Sequence, residues 1–133
     1  KLETDSAAQK KIARWQAVAE EAAKQSQRGA VPLVGMPVAF AEAAKQMKNC
    51  DLYFAAYEME RQRSIKQVLQ GAAAARSAAY FIGPEGGIAP EEAAVLERYG
   101  IPVVTLGPRI LRCETAPIAV LSMLMYELGD LSL

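Results

Sequence analysis

Two glycine-containing segments in the second half of the chain carry the residue types that could do chemistry. Gly83-Pro84-Glu85-Gly86-Gly87 sets three glycines within five residues. Such a backbone can reach positive φ and lets a ligand come close. It has neither the GxGxxG pattern of dinucleotide folds nor the GK[ST] of phosphate loops. By itself it reads equally well as a tight turn. The second segment, Leu106-Gly107-Pro108-Arg109-Ile110-Leu111-Arg112-Cys113-Glu114-Thr115-Ala116, sets two guanidiniums, a carboxylate and a hydroxyl among apolar residues. A plain structural account exists, with Glu114 capping a helix and both arginines solvated. Ile110 and Leu111 speak against a wholly solvated loop, because something must cover them.

The composition removes several chemistries. The chain of 133 residues has no histidine, so a histidine-based acid, base or triad is excluded. Its two cysteines, Cys50 and Cys113, lack CxxC spacing, and no metal site is expected. Hydrophobic residues make up 52%, enough for the core of one domain. The 15 basic and 15 acidic residues balance, but every lysine lies in the first seventy positions. That first part could offer a basic face even though the total charge announces no nucleic-acid partner. No apolar run reaches the length of a membrane span and no signal peptide is visible, so a cytoplasmic protein is expected. The chain begins with Lys1 rather than Met, which reads as a fragment or processed product.

The elements that must position these loops follow from periodicity. Ile12, Trp15, Val18, Ala19, Ala22 and Ala23 recur at helical steps, predicting a helix over about 7–27, capped by Ser6 with Gln9 and ended by Gly29 and Pro32. Val31 to Val34 could be a short strand, and a second helix is expected from about Val38 to Met47. The run Asp51 to Tyr57 is apolar behind one acidic residue and suits a strand covered on both faces. Ser64 and Gln67 have capping-box spacing ahead of a short helix to about Gln70. Gly71 to Ala79 reads as a loop or a frayed helix end. Ala79–Ile82 and Val103–Leu106 are the next buried strands. Pro90, Glu91 and Glu92 open a helix that Gly100 stops, and Thr115 or Glu114 starts a last helix running to Leu128. Strands alternating with helices predict an α/β fold, a mostly parallel sheet flanked by helices.

Taken together, the motifs resemble a known family. GPEGG, then LGPRILRCETA about twenty residues on, then an apolar helix closing in Gly129-Asp130-Leu131, is similar to the RsmE-type ribosomal RNA methyltransferases of the SPOUT class. Arg14-Trp15, Glu21-Ala22-Ala23, Gln25-Ser26-Gln27-Arg28 and Val31-Pro32 extend the likeness upstream. Cys113 stands where the family has threonine. The family's PUA-like β-barrel and the first strand of its methyltransferase domain have no counterpart. The resemblance therefore implies one SPOUT-like methyltransferase domain over 1–133, truncated at its N-terminus, with a C-terminal trefoil knot.

The resemblance implies methylation of N3 of a specific uridine in 16S ribosomal RNA, with S-adenosylmethionine as cofactor, by a homodimer with neither membrane nor metal partner. Loss of the N3 proton spreads negative charge over uridine O2 and O4, which an arginine would stabilise; Arg112 is the first choice and Arg109 the second. Gly83, Glu85, Gly86 and Gly87 are expected against the methionine or ribose part. Leu106, Gly107, Ile110 and Leu111 would contact adenine, with Thr115 and Ala116 beneath it and Ala56, Tyr57 and Glu58 as further walls. Arg14, Lys24 and Arg28 have two readings, an RNA-facing surface or a solvated helix face; Arg61, Arg63 and Lys66 form a second such patch. Two other classes stay open. One is a module that holds cofactor or RNA without turnover, the other an unrelated nucleotide-binding domain in which GPEGG is only a turn.

Overall fold

The computed structural model describes residues 5–129. The chain divides into two compact units, Lys1–Ala39 and Phe40–Leu133. The first holds α1 (Asp5–Gln25) and an irregular segment after it. Ser6 lies inside α1, so it does not cap it. The helix ends earlier than expected because Gln27 takes a left-handed φ of 55°. Arg28 N–H then reaches back to Ala23 O at 2.9 Å, closing the last turn without using Gly29. Val31 to Val34 is not a strand. Its backbone is met by one side chain: Gln16 donates to Pro32 O (3.1 Å) and accepts from Val34 N–H (2.9 Å). A single amide thus takes the place of a ladder partner.

The second unit is a three-layer α/β structure. Its strands are β1 (Leu52–Ala56), β2 (Ala78–Ile82) and β3 (Val103–Val104). They form one parallel sheet in the order β2-β1-β3, with Phe54 level with Tyr80 and Ala56 level with Val104. β1 is central, which explains its continuous apolar run: alternate side chains enter opposite cores. Leu52 and Phe54 join Val104 and the residues of α3 (Ile65–Gln70) and α5 (Ala116–Leu128). Ala55 joins Ile88, Ile101 and the residues of α2 (Phe40–Met47) and α4 (Pro90–Arg98). Phe54 and Ala55 are both wholly buried. Truncating Phe54 to Ala would cost about 3–5 kcal/mol.

The acidic residue ahead of β1 has a structural task. Asp51 carboxylate accepts from Arg76 N–H, Ser77 N–H and Ser77 Oγ–H, tying the entry of β1 to that of β2. Those bonds, the Arg76 N–H foremost, hold its carboxyl below the ordinary range. The capping box at Ser64 and Gln67 forms as the spacing predicts. α2 begins at Phe40 rather than Val38. β3 is shorter than the predicted Val103–Leu106 stretch, because beyond Val104 only Thr105 keeps a partner, Ser64.

Candidate functional site

The three strands end on one side of the sheet, where parallel sheets bind ligands. The loop after β1 is built by its own charges. Glu60 carboxylate accepts from the N–H groups of Arg61, Gln62 and Arg63, and these, Gln62 first, hold its carboxyl below the usual range. Arg61 guanidinium bonds in turn to the carbonyls of Glu58 and Glu60.

Both ends of that loop are fixed to β3. Tyr57 N–H donates to Val104 O at 3.0 Å. One residue on, Thr105 N–H donates to Arg63 O (2.8 Å) and Thr105 O accepts from Ile65 N–H (3.1 Å). Consecutive residues of an extended strand present their backbone groups to opposite edges. The end of β3 is therefore clasped between Tyr57 and the 63–65 segment. Thr105 Oγ1 then bonds to Gly107 N–H and O, forming a turn in which Gly107 holds a φ of 115°.

The glycines after β2 differ in their reasons. A Cβ on Gly83 would sit 3.0 Å from Ile88 Cγ1 and 3.2 Å from the Gly87 carbonyl carbon, so it would fit only if the 87–88 segment gave way. Gly87 has a φ of 77°, and a Cβ there would fall on the Glu58 carboxylate. Glu58 Oε1 also accepts from Ile88 N–H at 3.2 Å. At Gly86 nothing lies within 4 Å of a Cβ and φ is ordinary, so neither packing nor conformation requires a glycine.

The third loop leads into α5. Arg112 O accepts from both Thr115 N–H and Ala116 N–H at 2.9 Å, which fixes the arginine at the helix start. Tyr80 Oη on β2 donates to Pro117 O at 3.2 Å, holding the first turn of α5 to the sheet, and burial pushes that phenol up. Cys113 thiol hydrogen-bonds to Glu114 carboxylate, with Glu85 also facing it.

The loops enclose a cavity of about 780 Å³. Gly83, Glu85, Gly86 and Gly87 line it from one side, and Leu106, Gly107, Ile110, Leu111 and Ala116 from the other. Arg109 and Arg112 reach it as well, as do Ala56, Tyr57 and Glu58. Thr115 is not among its lining residues; its described contact is the N–H bond to Arg112 O. Arg61, singled out for a charged patch, lines the cavity too, whereas Arg63 does not. Thr105, also on the lining, carries no sequence signal, since a threonine at a strand end looks like any β-branched residue. Ile110 is 79% exposed, so the cover its apolar side chain calls for is not supplied within the described residues. Arg14, Lys24 and Arg28 belong to the first unit and are exposed. Asp130 and Leu131 of the closing motif lie outside the described residues.

The cavity offers backbone at Gly86 and Gly107, apolar side chains at Leu106, Ile110 and Leu111, and both signs of charge at its rim. That set suits a small ligand with both apolar and charged parts.

The model of the RNA methyltransferase domain family matches residues 2–125, running through both units. Ribosomal RNA small subunit methyltransferase E of Bacillus subtilis is 35% identical over 127 residues, covering 92% of this chain and 50% of the relative. Its Mycobacterium tuberculosis counterpart is 36% identical over 108 residues, covering 80% of this chain and 41% of the relative. The solved structure of the Neisseria gonorrhoeae ribosomal RNA small subunit methyltransferase E bound to S-adenosyl methionine superposes with a TM-score of 0.80 at 32% identity, covering 94% of this chain and 51% of that one. A Legionella pneumophila protein solved in complex with the cofactor SAM gives 0.82 at 28% identity, covering 97% of this chain and 51% of that one. The chain spans about half the length of the curated relatives it matches.

Proposed function

The chain belongs to the RNA methyltransferase domain family, and from that premise we propose that it serves the methylation of N3 of a uridine in 16S ribosomal RNA, with S-adenosylmethionine as methyl donor. The carrying observation is the convergence of the two glycine loops on one cavity of about 780 Å³. Gly83, Glu85, Gly86 and Gly87 would hold the methionine or ribose part, and Leu106, Gly107, Ile110, Leu111 and Ala116 the adenine. When bound, the donor supplies an already activated methyl group, so the protein needs no covalent nucleophile. What remains is to hold donor and acceptor in line and to stabilise charge.

Arg112 fits the second task. Its backbone is fixed at the start of α5 while its side chain lines the cavity. A guanidinium there would stabilise the negative charge that spreads over uridine O2 and O4 as N3 gives its proton to solvent water; N3 would then take the methyl, with S-adenosylhomocysteine leaving. Arg109, on the same loop, would assist. Arg14, Lys24 and Arg28 would meet RNA phosphates. The clasp of β3 between Tyr57 and Arg63–Ile65 supports the SPOUT reading with its trefoil knot. The exposed apolar face of α5 supports a homodimer. Ribosomal RNA as substrate implies a cytoplasmic setting.

The test is titration with S-adenosylhomocysteine by calorimetry, followed by assay of methyl transfer to small-subunit ribosomal RNA and mass spectrometry of the nucleosides. Saturable binding and N3-methyluridine are expected. No binding would end the reading, while binding without transfer would leave a module that holds the cofactor only.

A further inference from the structure

Gly87 and Glu58 come from different loops and share one small volume. A Cβ at position 87 would fall on the Glu58 carboxylate, and the same carboxylate accepts the next N–H, that of Ile88, at 3.2 Å. Ile88 is 4% exposed and its side chain belongs to the core with Leu96 and Ile101. Within the glycine loop the described backbone bond is Gly87 N–H to Pro84 O, at 2.8 Å, which closes the turn but does not attach it to the sheet. Glu58 makes that attachment, from two residues beyond the end of β1.

We infer that Glu58 is a positioning residue of the cavity, its carboxylate holding the glycine loop in place through Ile88 N–H in the room left by the missing Cβ of Gly87. The inference rests on the reading of this cavity as the S-adenosylmethionine site. Removing the carboxylate strands a donor beside a buried side chain, and such a group is costly unless the backbone moves. The loop then shifts, and with it the backbone groups of Gly86 and Gly87 offered to a ligand. Glutamine keeps the oxygen acceptor at the same reach, so charge is not what the role requires. The two partners are also coupled sterically. Gly87→Ala meets both the positive φ and the carboxylate, but in a Glu58→Ala background only the φ remains.

The test uses the whole chain, titrated with S-adenosylhomocysteine well below the melting temperature of every variant, with amide exchange read in parallel. Glu58→Ala should weaken binding about tenfold or more and speed exchange at Ile88, leaving Phe54 and Ala55 protected. Glu58→Gln should restore most of the affinity and the Ile88 protection. Gly87→Ala should weaken binding less in the Glu58→Ala background than in the parent. Parent-like affinity and parent-like Ile88 exchange in Glu58→Ala would overturn the inference. If the parent itself fails to bind, the cofactor reading falls; Ile88 exchange in the alanine and glutamine variants still decides what Glu58 holds.

Discussion

Cys113 Sγ and Glu114 Oε2 lie 3.2 Å apart, the thiol donating to the carboxylate of the next residue. That bond, then partial burial, then the facing Glu85, push the thiol up to about 11. Glu114 shifts the other way, held down first by its own backbone N–H and then by the thiol. A thiol that stays protonated is a poor nucleophile. Iodoacetamide should therefore label Cys113 slowly near neutral pH, with a rate climbing until about pH 11. Glu114→Ala should move the climb to lower pH, as followed by peptide mass spectrometry. Identical profiles would remove Glu114 as the cause.

Gly86→Val separates fold from ligand. Nothing lies within 4 Å of a Cβ at this position, so the free chain should keep its stability within about 0.5 kcal/mol. Affinity for S-adenosylhomocysteine should be lost, because a branched side chain would occupy the face that meets the ligand. A variant that binds like its parent would show that the ligand sits elsewhere.

Arg112→Ala should depress kcat far more than cofactor affinity in an assay with ribosomal RNA. By analogy with deleting one oxyanion donor, the loss is about a hundredfold. Arg112→Lys keeps the charge without the planar fork and should recover part of it. A rise in KM for RNA at unchanged kcat would make Arg112 a phosphate contact and move the catalytic role to Arg109.

On α5, Val120 and Leu124 are buried while Ile118, Leu121 and Tyr126 are 69%, 47% and 77% exposed. A helix apolar on both sides calls for two partners, and the sheet supplies one. Sedimentation at tens of micromolar should show a dimer that Ile118→Asp with Leu121→Asp dissociates. A monomeric parent would count against this face as the contact.

Acid should loosen the fold through Asp51 and Glu60. Both carboxyls titrate below their ordinary values in the folded chain. The unfolded chain therefore takes up their protons first. Their contribution is complete above roughly pH 4–5 and is lost as pH falls through the lowered values. Denaturation midpoints between about pH 6 and pH 2.5 should fall less steeply in Asp51→Asn and Glu60→Gln than in the parent. Equal slopes would mean that other groups govern acid unfolding.

Much of this was legible in the sequence where one local rule decides. Ser64 and Gln67 cap α3 because the box needs only their spacing. The Asp51–Tyr57 run suits a strand covered on both faces because it is apolar, aromatic-rich and too short for a buried helix. The misreadings share a cause in tertiary partners. Val31–Val34 has strand-like residues, but Gln16 supplies its hydrogen bonds. Beyond Val104, β3 stops because Thr105 Oγ1 bonds to Gly107 N–H and O and turns the chain away from β1. The walls of the cavity were legible as two glycine loops at strand ends, but which glycines the backbone needs was not, since Gly83 answers to Ile88 and Gly87 to Glu58. Glu58 was visible as a wall only, because its bond to Ile88 joins residues thirty apart.

The clasp of β3 also sets an order of events during synthesis. Tyr57 and Arg63 leave the ribosome 47 and 42 positions ahead of Val104 and Thr105, which fix them in place. Until that stretch emerges, the 58–62 loop has no strand to close on, and the cavity lacks the wall from Leu106 to Ala116. A nascent chain holding everything up to Gly100 thus carries the complete glycine loop and no site. Ligand capture by arrested chains should begin as a step, once the last wall has cleared the exit tunnel, rather than grow with length.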